Sequence, residues 1–279
     1  MIDGRTELIA HIGYPTHTFK SPLIYNPYFE QAGIPAVVVP MACQSAHFPT
    51  FFKAVFSLDN VRGALITMPH KVSVLEWVDE VSDTVRMAGS CNAVRKTADG
   101  RLVGDMFDGI GFVRGLQRKG FDLRGKRALV VGAGGVGSAI AASLVQAGLA
   151  AMDVSDVNPE AARALVQRLQ THRPDVRVRC GLPDPAGMDL VVNATPLGMR
   201  PGDAPPIDLE RLAPSCWVGE VVLSATPTPL VRAAQALGCP VQLGLDMLFE
   251  QIPAYLAFFG LPSTSAEHLR HVARIPELA

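Results

Sequence analysis

The chain has 279 residues, 48% of them hydrophobic, with a formal net charge of -1. That length accommodates two cored domains, and the near-neutral charge excludes partners that need a basic stripe, namely nucleic acid and anionic membrane surfaces. Cys43, Cys91, Cys180, Cys216 and Cys239 form no C-x-x-C pair and are odd in number, so neither a metal site nor a disulfide framework is expected. No run of about 18 apolar residues appears, and Met1–Leu8 carries acid without an apolar leader segment. A cytoplasmic protein with reduced thiols is expected.

The first hundred residues alternate strand and helix signals, which indicates an α/β domain. Leu8–Ile12 reads as a strand, and Ser21–Ala32 as a helix after a Ser-Pro start. Ala36–Val39 is a β-branched strand, Ala54–Phe56 belongs to a helix, and Gly63–Thr67 is a further strand. Pro69 turns Thr67–Lys71 out of that strand, because proline cannot continue a ladder. Ala93–Arg95 and Arg101–Val103 flank Thr97–Gly100 as a hairpin.

A second unit begins near Lys126 and runs to Gly244. Arg127–Val131 is a buried strand, Gly132–Gly137 a glycine-rich turn, and Ser138–Ala147 an alanine-rich helix ended by Gly148. Met152–Asp156, Leu190–Ala194, Val218–Val222 and Val241–Leu243 are further strands, and Pro201–Pro206 is a surface loop. Asp246–Phe259 carries an apolar stripe at helical spacing.

Gly132-Ala133-Gly134-Gly135-Val136-Gly137 fits G-x-G-x-x-G between a strand and a helix, the arrangement of a Rossmann-type nicotinamide dinucleotide site. The first glycine permits the tight turn, the second the approach of a pyrophosphate, and the third close helix packing, while the helix N-terminus favours phosphate. Asp156, at the end of the next strand, stands near the ~20-residue spacing of a ribose-binding carboxylate. Such a carboxylate repels a 2′-phosphate, and Val157 follows where a cation would serve one. Of NAD and NADP, NAD is favoured. Asp156 also fits an opener of the Asn158-Pro159 turn, and Asp153 is a weaker competitor. A dehydrogenase needs a proton acceptor for the hydroxyl it oxidises, and Lys71 and Asp108 are the candidates.

Several ordered segments resemble the shikimate dehydrogenase family across nearly the whole chain. Gly13–Pro22 is similar to its N-terminal G-x-P-I-x-H-S-x-S-P, Thr67–Lys71 to T-V-P-x-K, and Gly89–Ala93 to G-A-V-N-T. Gly104–Gly109 is similar to G-D-N-T-D-G, Asn193–Met199 to the N-A-T-x-x-G loop, and Gly244–Gln251 to G-x-x-M-L-x-x-Q. The resemblance implies an N-terminal α/β substrate-binding domain and a doubly wound parallel-sheet Rossmann domain with a cleft between them. Residues 1–109 with 246–279 would form the first, and 110–245 the second. It implies Lys71 and Asp108 as the catalytic pair. Thr67, Asn92 and Gln251 would bind ring hydroxyls, and Ser21 a carboxylate. Gly132, Gly134, Gly135, Val136, Gly137, Asp156, Asn193, Thr195 and Gly244 would line the cofactor.

The implied reaction is reversible hydride transfer between NAD or NADP and a ring alcohol or ketone of shikimate, quinate or a related cyclic hydroxy acid. A monomer or homodimer without nucleic-acid or membrane partners is expected. Phe19 stands where the family pattern has a serine, Met106 and Phe107 replace Asn and Thr, Leu65 replaces Asn, and Leu223 replaces Tyr. These departures predict a more apolar pocket and weaker or redirected polyol binding. They also motivate an alternative, a non-catalytic dinucleotide-binding sensor. His11 and His70 read as structural or surface residues.

Overall fold

The computed structural model describes residues 2–200, 202–224 and 226–276. Pro201, at the head of the predicted 201–206 loop, and the last three residues of the predicted 246–279 segment lie outside them. The chain divides into two compact units. Residues 2–86, Ser90–Phe107 and 251–276 form the first, and Met87–Gly89 with Asp108–Glu250 form the second.

The first unit contains β1 (Glu7–Gly13), α1 (Pro22–Ala32), β2 (Ala36–Ala42), α2 (Phe48–Phe56), β3 (Val61–Ile66), β4 (Glu80–Val81), α3 (Asp83–Ala88), β5 (Ala93–Lys96) and β6 (Leu102–Asp105). Its sheet runs β2-β1-β3-β5-β6-β4. β1 lies parallel to both β2 and β3, so its residues are covered on both edges, and Ile9, Ala10 and Ile12 are fully buried. A central parallel strand reads as an apolar run for this reason, and past Glu7 at its start His11 is the polar exception in it. β5 and β6 form the predicted antiparallel hairpin, closed by Thr97 and Gly100. α1 starts with Pro22 in its first turn, where the missing N–H costs nothing, and stops at Gly33 in the left-handed region (φ 64°). It buries Tyr25 and Phe29, one helical turn apart.

The second unit contains α4 (Asp108–Arg118), β7 (Arg127–Val131), α5 (Gly135–Gln146), β8 (Ala151–Ser155), α6 (Pro159–His172), β9 (Arg177–Cys180), β10 (Leu190–Asn193), β11 (Trp217–Glu220), α7 (Pro229–Leu237) and β12 (Val241–Leu243). α8 (Gly244–Phe258) begins in this unit and, from Gln251, belongs to the first, as does α9 (Ala266–Val272). The sheet order β9-β8-β7-β10-β11-β12 is fully parallel, the 3-2-1-4-5-6 order of a Rossmann fold. Leu129, Val131, Val191 and Val218 from the central strands pack with Leu230 and Ala234 of α7 as one core. α5 starts at Gly135, three residues before the predicted Ser138, because the motif's last glycines are already helical. Among the described residues no helix is long and apolar enough to cross a membrane.

Candidate functional site

In the first unit, the residues that follow the carboxyl ends of β1 and β3 come together. The Thr67 N–H bonds the Ile12 carbonyl (3.0 Å), and the His70 N–H closes back on the Thr67 carbonyl (2.9 Å). The His70 ring stacks on Phe48 (centroids 4.0 Å apart, 9° between planes), and its Nε2 bonds the Cys43 carbonyl at 2.7 Å. This pins the turn that carries Lys71. The Lys71 carbonyl in turn accepts from the Cys91 N–H at 2.7 Å, which sets the lysine turn beside Asn92.

Asn92 is buried, and its Oδ1 accepts the Phe107 N–H at 2.9 Å. Its carbonyl accepts from the Tyr255 hydroxyl (3.2 Å). Gln251 lies one helical turn before Tyr255 on α8, so both present the same face. Two polar atoms in this cluster are buried without a hydrogen-bond partner among the described residues, the donor Nδ2 of Asn92 and the acceptor Oε1 of Gln251. Leaving such atoms unpaired costs about 1–3 kcal/mol each, so they mark a place that a ligand's polar groups would complete.

Phe19 sits in the same neighbourhood. A Cβ built on Gly13 would lie 2.3 Å from the Thr67 methyl and 3.0 Å from the edge of the Phe19 ring, so glycine is what lets these two side chains close around the end of β1. The Phe19 ring also stacks on His11, with centroids 4.0 Å apart. Ser21 is buried just before α1, and its hydroxyl makes no capping bond.

Met106 and Phe107 are packed inside the first unit. Both are buried, and the Phe107 ring packs against Tyr255 (4.7 Å) and Phe258 (5.5 Å) of α8. Both side chains are thus packed within the first unit, Phe107 against the aromatic face of α8. Leu65 is likewise core, paired with His11 on one side and Ala93 on the other.

His11, read from the sequence as a structural or surface residue, is buried. Burial, followed by the positive charge of Lys71, pushes its pKa down to about 3, so the ring stays neutral in the folded chain. An unfolded histidine titrates near 6.5. The folded pKa is depressed, so the unfolded chain binds the extra proton first and stability falls as pH drops from about 6.5 towards 3. Between pH 6.5 and 5 the expected loss is ~2 kcal/mol. Urea titrations at the two pH values should show that loss in the wild type and a flatter dependence in His11→Gln; equal slopes would contradict it.

In the second unit, Gly132 adopts φ 106°, and a Cβ there would meet the Ala194 carbonyl at 2.7 Å. A Cβ on Gly137 would lie 1.9 Å from the Gly132 carbonyl. These two glycines are therefore required by the packing of α5 on β7 and β10. Gly134 differs: it is exposed, and a Cβ there would enter open space. The start of α5 is therefore open at Gly134, where backbone N–H groups at a helix N-terminus could be approached by the pyrophosphate of a dinucleotide.

Asp156 follows β8 directly. Its Oδ2 accepts the Ala133 N–H at 2.6 Å and its Oδ1 accepts the Asn158 N–H at 2.7 Å. The carboxylate thus ties the glycine loop to the turn before α6, and each oxygen keeps a lone pair for a further donor. Val157 is fully exposed. Asp153 is engaged by Arg179 through two bonds of 2.8 and 2.9 Å. That bidentate pair removes it as a ribose ligand.

Asn193 and Thr195 shape the loop after β10. The Asn193 Oδ1 accepts from the Thr195 N–H and hydroxyl (3.1 and 2.6 Å), and its Nδ2 donates to the Leu197 carbonyl (3.0 Å) and to Glu220. Glu220 also accepts from the Thr228 hydroxyl (2.8 Å) and the Val222 N–H (3.0 Å). Burial raises its pKa against these bonds. A carboxylate inside the apolar run Trp217–Val222 was the signal that could have singled it out. Gly244 opens α8 with its Cα against Val221, where a Cβ would sit 2.6 Å from the Val221 carbonyl. Asp108, buried, opens α4; at Gly109 a Cβ would sit 2.0 Å from the Ala139 carbonyl, so α4 and α5 touch backbone to backbone.

Fold and loops together define a Rossmann-type dinucleotide-binding protein that carries a second α/β unit with a lysine and incompletely paired amides. Residues 11–94 match the family model for the shikimate dehydrogenase substrate binding domain. The chain is 36% identical over 265 residues to a shikimate dehydrogenase (NADP(+)) of Rubrobacter xylanophilus, covering 93% of each. It is 34% identical over 278 residues to that of Rhodospirillum rubrum, covering 97% of this chain and 98% of the other. A quinate dehydrogenase from Corynebacterium glutamicum, solved in complex with NAD, superposes with a TM-score of 0.83 at 31% identity, over 96% of this chain and 98% of that one. The chain belongs to the shikimate dehydrogenase family.

Proposed function

We propose that the protein is an NAD(P)-dependent oxidoreductase that interconverts a ring alcohol and ketone of shikimate, quinate or a related cyclic hydroxy acid, with NAD preferred. The observation that carries the substrate class is the pair of buried, unpartnered amide atoms, Asn92 Nδ2 and Gln251 Oε1. One donates and the other accepts, which suits adjacent hydroxyls on a ring. Family membership supports the reaction, and the open helix start at Gly134 supports the cofactor.

A nicotinamide held by the second unit would supply the hydride acceptor for the ring carbon, or the donor in the reverse direction. The chain's own residues handle position and proton. Lys71 Nζ takes the proton from the substrate hydroxyl as it is oxidised and gives it back to the ketone oxygen in reverse. Asp108 is the companion carboxylate of that exchange. Thr67, Asn92 and Gln251 hold the remaining ring hydroxyls, and Ser21 holds the carboxylate. The Phe19 ring takes the place of a second hydroxyl donor beside Ser21, which favours a substrate with less polar surface there. In the second unit, Asp156 receives the ribose hydroxyls, while Asn193 and Thr195 fix the loop that flanks the cofactor.

Absorbance of reduced nicotinamide, followed with shikimate and with quinate and with NAD and NADP separately, tests this reading. Turnover of at least one acid is expected. Asn92→Ala and Gln251→Ala should each raise the substrate KM by about 10–100-fold, the equivalent of one lost buried hydrogen bond. Absence of turnover on every cyclic hydroxy acid, with cofactor bound, would rule the substrate class out.

A further inference from the structure

Histidine in the middle of a central parallel strand is out of place unless it meets a partner, because both strand edges are paired and the faces are covered. His11 is only 7% exposed, and its Nδ1 has no hydrogen-bond partner among the described residues. Its neighbours in register are Pro40 on β2, which lacks an N–H, and Leu65 on β3. Neither offers the imidazole a polar side chain. The ring instead lies against Phe19, 4.0 Å between centroids and 23° between planes.

The position of His11 gives this unpaired nitrogen a use. It stands two residues before Gly13, near the carboxyl end of β1, where ligands of open parallel sheets bind. Phe19 links it to the Gly13–Thr67 contact, and Lys71 lies close enough for its charge to act on the imidazole. We infer that His11 is a substrate-contact residue, its imidazole locked by the Phe19 stack and hydrogen-bonding a hydroxyl of the bound molecule. The inference rests on the proposed substrate class and adds a specificity-determining group to it.

The chemistry fits a hydroxyl in particular. A neutral imidazole carries one donor and one acceptor, and a hydroxyl can meet either. A carboxylate, which only accepts, would be served by a charged or multiply donating group. His11 therefore selects an uncharged oxygen on the face of the substrate that approaches Phe19, while the aromatic ring covers adjacent C–H surface. In this arrangement Phe19 is a positioning residue for His11.

The test compares wild type, His11→Leu and His11→Gln in steady state on shikimate and quinate with saturating dinucleotide. His11→Leu is expected to raise the substrate KM by about 10–100-fold with the dinucleotide KM unchanged, and His11→Gln, which keeps a donor and an acceptor, to recover part of the loss. Equal substrate KM in wild type and His11→Leu overturns the inference and leaves the substrate class standing. In parallel, the ring nitrogens of His11 are followed by NMR in the unmodified wild-type chain on adding quinate, shikimate or myo-inositol, a ring polyol without a carboxylate. Movement of the His11 signals with any of the three supports the inference, including where neither acid is turned over and the substrate class has failed. No movement with all three overturns it, whatever the fate of the variants.

Discussion

Replacing Lys71 with alanine is expected to lower kcat by about 10²–10⁴-fold, the range that a positioned acid–base group contributes. The dinucleotide dissociation constant should stay within about twofold, because every loop assigned to the cofactor belongs to the other unit. The turn supports a catalytic reading of the loss. It is fixed by backbone bonds from Thr67, His70 and Cys91 and by the His70–Phe48 stack, none of which uses the lysine side chain. The alanine variant should therefore fold with the turn intact. Lys71→Met, which keeps the aliphatic length without the amine, should be as inactive as the alanine, while Lys71→Arg keeps the charge and gives up the titratable amine. Stopped-flow absorbance for turnover and fluorescence titration for cofactor binding separate the two effects. Wild-type turnover in Lys71→Ala would remove the residue from the mechanism.

The parts of the molecule that were legible in the sequence share a physical cause. β7, β10 and β11 are covered on both faces of a parallel sheet, so they appear as short continuous apolar runs. β9 was not legible because it is an edge strand whose Arg177, Arg179 and Cys180 face outward, leaving Val178 as the one buried side chain. The start of α5 was placed late because glycine argues against helix on propensity, whereas packing against Ala194 and Gly132 demands it.

The candidate site divides similarly. Gly132, Gly137 and Asp156 follow from a spacing that has a mechanical reason, and Lys71 and Asn92 stand in segments with a family resemblance. His11 was hidden because a single histidine is a weak signal until the fold shows that it lacks a partner. Met106 and Phe107 are singled out because they stand where the family pattern has Asn and Thr, and their packing cannot be read from that. The aromatic face of α8, far away in sequence, is what Phe107 packs against. Glu220 needed three separate loops in place before its role in holding Asn193 and Thr228 could be seen.

The second large effect concerns the cofactor. Asp156→Asn combined with Val157→Arg is expected to raise the ratio of kcat/KM for NADP over NAD by about 10²–10³-fold, from two charge changes of the same sign at one strand end. Removing the carboxylate's charge weakens bonds to ribose hydroxyls, each worth about 1.5–3 kcal/mol when charge-assisted, and lifts repulsion of a 2′-phosphate. The arginine then adds a cation suited to phosphate. Val157 is fully exposed, so the larger side chain displaces nothing. Asparagine is preferred to alanine at 156 because Asp156 also accepts from Ala133 and Asn158, and an amide oxygen keeps one of those bonds. Thermal unfolding of the single and double variants checks this structural part. A drop in stability for Asp156→Ala beyond that of Asp156→Asn would measure what the carboxylate does for the glycine loop. The relatives from Rubrobacter and Rhodospirillum bear the name NADP(+), while the quinate dehydrogenase was solved with NAD, so family membership alone leaves the preference open. The proposed preference for NAD rests on Asp156 and Val157: a wild-type chain that favours NADP by a large factor would mean that Asp156 serves only the loop and turn it already holds.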